Sequence, residues 1–194
     1  MIQPENSKYF KLTIEQLDKV GNAMAFLSKE IPCLSKTKML KLLYLLDELS
    51  IKKSGIPFFN LQYKAWKLGP VAEEIFVELS DKLNWFAKFV EIQNLNNETY
   101  ILPKSDFCDD EFSDNDIDLL EDVVSKFKDT TVQQLVFYLH RPHSPWRIAT
   151  ESNGVYEMLE NGYINNTEIV IDMSCLVNHD ERKKAIYEQY MQEK

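Results

Sequence analysis

Lys38-Met39-Leu40-Lys41-Leu42-Leu43-Tyr44-Leu45-Leu46-Asp47 sets the architecture. The stretch belongs to a helix expected from Ser35 to Ser54, stopped by Gly55 and Pro57. Leu42, Leu43, Tyr44, Leu45 and Leu46 point in every direction around its axis. A helix that is apolar all round is normally enclosed by others, so this one is placed at the centre of the domain. Lys41, Glu48 and Lys52 form a polar line along it, and Leu45 falls in that line. Either a neighbouring loop of the chain covers Leu45, or a partner protein does.

Moving outward, Thr13 and Gln16 have the spacing of a capping box. They open a helix over residues 13–31 whose apolar stripe is Ile14, Leu17, Val20, Met24, Leu27 and Ile31. On the other side, Gln62 to Lys67 alternates in polarity and reads as a short strand or extended arm. Gly69-Pro70 breaks it, and Pro70 is expected as the first residue of a helix running to Leu79. Phe89–Ile92 and Thr99–Leu102 make a hairpin around the polar residues Asn94 to Glu98. Ser113 is an N-cap for a helix ending near Lys128, and Val132 to Leu139 forms another. His140-Arg141-Pro142-His143 is a break. Ser144-Pro145 then opens a short helix through Trp146 to Thr150. A helical turn at Tyr156–Glu160, a short strand at Ile169–Ile171 and a charged helix from Asp180 to Gln192 complete the chain. There is no internal repeat and no long linker. The expectation is an α+β, mainly α-helical, compact single domain over residues 1–194, with a central buried helix and a small antiparallel hairpin or sheet.

Composition narrows the function. The net charge is −9, which argues against direct nucleic-acid binding, because nonspecific affinity comes from cations on phosphates. Met1 to Leu12 lacks the apolar core of a secretory signal, and no apolar run reaches the roughly 20 residues that span a bilayer. The expected localisation is cytoplasmic, with no membrane contact. Cys33, Cys108 and Cys175 are far apart and odd in number, and read as reduced residues in packing roles. Five glycines leave little for a phosphate-cradling loop, and none of the glycine-rich nucleotide patterns occurs. H-E-x-x-H and G-x-S-x-G are absent too. Asp114, Asp116 and Asp118 begin like a calcium loop, but Leu119 and Ser125 stand where Gly and Glu are required. No metal, cofactor or catalytic residue is assigned. An enzyme with a dispersed acid/base pair or Cys–His site stays open as an alternative.

The order of three segments carries more than any one of them. The leucine-rich helix is followed by Ala65-Trp66-Lys67-Leu68-Gly69-Pro70-Val71, and then by Leu139-His140 through Ser144-Pro145-Trp146-Arg147. This set resembles the Panacea domain family, the SocA-like, phage-associated group, over a core of about residues 34–150, with residues 151–194 as an extension. The resemblance implies a non-enzymatic, antitoxin-like interaction protein that neutralises a cognate toxin by direct binding. Its alternative is a proteolytic adaptor presenting a client to a Clp-type protease. The family's late histidine usually follows Thr, whereas Leu139 precedes His140 here.

Each candidate contact residue has a bland reading beside the functional one. Trp66 packs into the core or anchors a partner, since aromatic side chains dominate both settings. Trp146 staples its short helix or binds, and His140 caps the end of its own helix or binds. Lys67 lies beside Trp66 on the arm. Asp106 to Asp122 holds nine acids and no Lys or Arg. Within it Asp109, Asp110 and Asp114 form a solvated helix start or a docking patch for a basic partner. With Leu45, these are the partner-binding candidates.

Overall fold

The computed structural model describes residues 12–81 and 85–193. Nearly all of the N-terminal segment read above for a leader, Met1 to Leu12, therefore lies outside the described residues. The leucine-rich helix, α2 (Lys36–Ser54), follows α1 (Ile14–Glu30). Thr13 caps α1 in a full capping box with Gln16, and Ser35 caps α2 by accepting from the Lys38 amide. Leu42, Leu43, Tyr44, Leu45 and Leu46 are all enclosed, none more than 1% exposed. Burying each leucine contributes about 1.5–3 kcal/mol, so this one turn and a half anchors the core. Gly55 ends α2 at φ 83°. A Cβ there would also meet the Lys183 carbonyl at 2.5 Å, so glycine serves both the left-handed turn and a close approach by the C-terminal helix.

The arm is a two-stranded antiparallel hairpin, β1 (Lys64–Trp66) with β2 (Gly69–Val71), pairing Trp66 with Gly69. This corrects the expectation for Pro70. It lies in β2 instead of opening a helix, and α3 begins only at Glu73 and runs to Asp81. A second hairpin, β3 (Val90–Leu95) with β4 (Glu98–Pro103), turns on Asn96 and Asn97 alone, both at positive φ. The turn is tighter than Asn94 to Glu98 because asparagine tolerates the left-handed conformation that a two-residue connection needs. The hairpin packs on α1 so closely that a Cβ on Gly21 would fall 2.1 Å from the Phe89 ring.

Four helices follow: α4 (Asp114–Phe127), α5 (Val132–Leu139), α6 (Pro145–Ser152) and α7 (Tyr156–Glu160). Ser113, Thr131 and Ser144 cap the first three, with Pro145 in the first turn of α6. A 3-10 turn (Met173–Leu176) and α8 (Glu181–Gln192) close the chain. Ile169 to Ile171 runs beside β1 and makes a single bridge, Val170 to Lys64, not a full strand. The fold is mainly helical with two small antiparallel sheets. Among the described residues no helix is long and apolar enough to cross a membrane. Cys33 and Cys108 are exposed, which corrects the packing role given to them; Cys175 is half-buried and donates to the Asp172 carbonyl at 3.2 Å.

Candidate functional site

Lys41, Glu48 and Lys52 do form a line on α2, but its first two members are inside the protein. Lys41 is 1% exposed and Glu48 0%. Buried charge must find partners or neutralise. Glu48 accepts from Lys52 Nζ at 2.5 Å and from the Arg141 guanidinium. Arg141 also donates to the Tyr138 carbonyl at 2.8 Å and lies over the Tyr138 ring. The arginine, not the His140 ring, therefore caps the end of α5 and ties it to α2. Asp47, likewise buried, accepts from the amides of Phe59, Asn60 and Leu61 and from the Tyr63 hydroxyl at 2.7 Å. Burial raises its pKa and these hydrogen bonds oppose the rise. Asp47 thus moulds the loop that delivers the arm.

Lys41 Nζ donates to the Pro70 carbonyl at 2.8 Å. Desolvation brings its pKa down to about 7. Above that contact, Trp146 is fully enclosed and its Nε1–H donates to the Trp66 carbonyl at 2.9 Å. The His140 ring stacks on Trp146 with centroids 3.6 Å apart and planes 4° apart. His140 Nδ1 meets Glu160 Oε1 at 2.8 Å. Burial lowers the His140 pKa against the raising influence of Glu160. The neutral ring then donates from Nδ1 and leaves Nε2 as an acceptor, buried and without a protein partner. Gly69 runs beneath it: a Cβ there would sit 3.7 Å from Nε2. Residues 165–171 complete the cradle, Asn165 and Ile169 accepting from the amides of Lys67 and Ala65.

The cradle opens into a groove of about 480 Å³ lined by Leu40, Lys41, Trp66, Lys67, Leu68 and Phe76, among others. Trp66 and Phe76 meet edge to face at 4.8 Å. Leu68, at the tip of the arm, is 48% exposed. No acid stands among the described residues that line the groove.

A family profile, antitoxin SocA-like, Panacea domain, matches residues 39–147. The chain belongs to this family. The match covers more than half of the sequence and runs from the first turn of α2 to the first turn of α6, so it begins and ends on the elements that build the cradle. Neither the curated proteins nor the solved structures returned a match.

The structure brings Trp66, Lys67, His140 and Trp146 together. Leu45 is enclosed by its own chain, which answers the choice between a neighbouring segment and a partner in favour of the former. Trp146 offers no exposed area either. Both side chains are packed inside the described chain, and the Trp146 indole N–H is already bonded to the Trp66 carbonyl. Asp109, Asp110 and Asp114 are exposed, and Asp110 lines a different cleft, with Asp18 and Lys88. Near them Lys19 pairs with Asp116 at 3.2 Å, so the acidic run also helps fix α4 to α1. Sequence reading missed the roles of Lys41, Arg141 and Glu160. The signal available was small: a lysine in the middle of an all-round apolar helix.

Proposed function

We propose that this SocA-like antitoxin family member neutralises a cognate toxin by direct, stoichiometric binding, without turnover, and that the groove beside the arm belongs to the contact surface. The observation that carries the reading is the convergence of the family-matched segments. Lys41, Trp66, Gly69, His140 and Trp146 come from distant stretches of chain and meet in one cradle. That cradle holds an exposed arm tip in a fixed position, and a preorganised surface lowers the entropic cost of binding. The acidic patch around Asp109, Asp110 and Asp114 contributes long-range steering of a basic toxin, raising the association rate more than the affinity.

Co-expression with the product of the adjacent gene tests the reading. Rescue of growth together with co-purification is expected; absence of both would overturn it. Rescue that requires a Clp-type protease, with loss of the client over time, would replace occlusion by delivery for degradation.

A further inference from the structure

The geometry points to a binding site in the arm groove for a carboxylate carried on an apolar segment of the partner protein. The proposal deepens the antitoxin reading and rests on it for the source of the ligand. Two donors set the chemistry. An ammonium has three N–H groups, and the Pro70 carbonyl takes one from Lys41. Trp66 Nε1–H is buried and has no acceptor. Both residues line the same groove. Donors left unpaired in a dry setting cost free energy that an incoming acceptor recovers. Leu40, Leu68 and Phe76 line it as well, so the acceptor must arrive on an apolar body.

Charge selects among acceptors. The chain has 31 acidic against 22 basic side chains, yet the described residues lining the groove include Lys41 and Lys67 and no acid. A carboxylate matches this local reversal of sign better than a neutral carbonyl. The groove therefore favours a partner segment in which Asp, Glu or the terminal carboxylate adjoins an aliphatic or aromatic side chain. The acidic patch lines a separate cleft and takes no part.

The experiment has two arms. In the first, the full ¹⁵N-labelled chain is titrated at pH 6, where the Lys41 ammonium holds its proton, with 3-phenylpropionate and with its neutral amide. The acid is expected to bind in the roughly millimolar range, about tenfold tighter than the amide. It should shift the Trp66 Nε1–H resonance and leave that of Trp146, already bonded, nearly unmoved. Lys41→Met should abolish the preference for the acid. Equal binding of acid and amide, or no shift at Trp66, overturns the proposal. In the second arm, Leu68→Glu is co-expressed with the adjacent gene product. Its side chain is exposed, so folding should survive, and thermal melting verifies this. Loss of co-purification supports the site. Retained co-purification overturns the site while leaving the antitoxin reading intact. If the wild-type chain fails to co-purify, the antitoxin reading and the partner source fall together, and the first arm reports on the groove alone.

Discussion

Lys41 makes the stability of this fold fall with falling pH, as in ordinary acid denaturation, but in a window above neutrality where no carboxylate titrates. Its pKa is about 7 in the folded chain against 10.5 for a free lysine. Between those values the unfolded chain holds a proton that the folded chain has largely released. The unfolded state binds more protons, so stability rises with pH across this window, by up to about 1.4 kcal/mol per unit. Below pH 7 both states are protonated and the penalty for burying the charge is at its fullest. Integrated from pH 7 to 9, the gain is about 2 kcal/mol. The window closes near pH 9 because the Cys175 thiol, pushed up to about 11 by burial, keeps its proton in the folded state and works in the opposite sense. Urea denaturation followed by circular dichroism at pH 7, 8 and 9 reads the effect. The expected midpoint shift is about 1 M urea. Lys41→Met should flatten the slope and be at least as stable as wild type at pH 7, since it removes a buried charge that has one backbone acceptor. Identical pH slopes for wild type and variant would refute the reasoning.

Asp47→Ala removes the acceptor for three amides and the Tyr63 hydroxyl; a loss of about 3 kcal/mol is expected by denaturant titration, and a loss below about 1 would contradict the role given to it. Gly21→Ala gains up to about 1 kcal/mol of helix propensity but drives a Cβ into the Phe89 ring; the clash should win by about 1–2 kcal/mol, and Phe89→Ala in the same chain should convert the substitution to neutral or stabilising. Trp146→Phe deletes the donor to the Trp66 carbonyl; about 1–2 kcal/mol of stability should be lost, and amide exchange should quicken at Ala65 and Lys67, whose arm it holds. Leu45→Ala should cost about 2–5 kcal/mol as a cavity mutant; a change that weakens toxin binding with no effect on stability would mean the side chain faces a partner after all.

What was legible in the sequence was local. Thr13 with Gln16, Ser113, and Ser144 with Pro145 announce helix starts because a cap is complete within four residues. The buried α2 was legible because an all-round apolar helix has only one stable place. Pro70 was misread for the same reason that the caps succeeded. Its neighbours satisfy a helix-start pattern, while the hairpin that pairs it with Ala65 is braced by distant residues, Lys41 on the Pro70 carbonyl and Trp146 on the Trp66 carbonyl. The polar line of α2 was visible, but not its burial: Lys41 answers to Pro70, 29 positions away, and Glu48 to Arg141, 93 away. The site was half legible. Trp66, Lys67, His140 and Trp146 were singled out and do converge, whereas Lys41 and Glu160, which finish the cradle, carry no motif of their own.

The central claim is that this body acts by occupying its target. Titrating the purified chain against the active product of the adjacent gene, with residual toxin activity as readout, tests it most directly. Activity should fall linearly to zero at equimolar ratio, independent of incubation time, and return when the two chains are separated in denaturant and the toxin refolded alone. Progressive, permanent inactivation by a small fraction of an equivalent would contradict it.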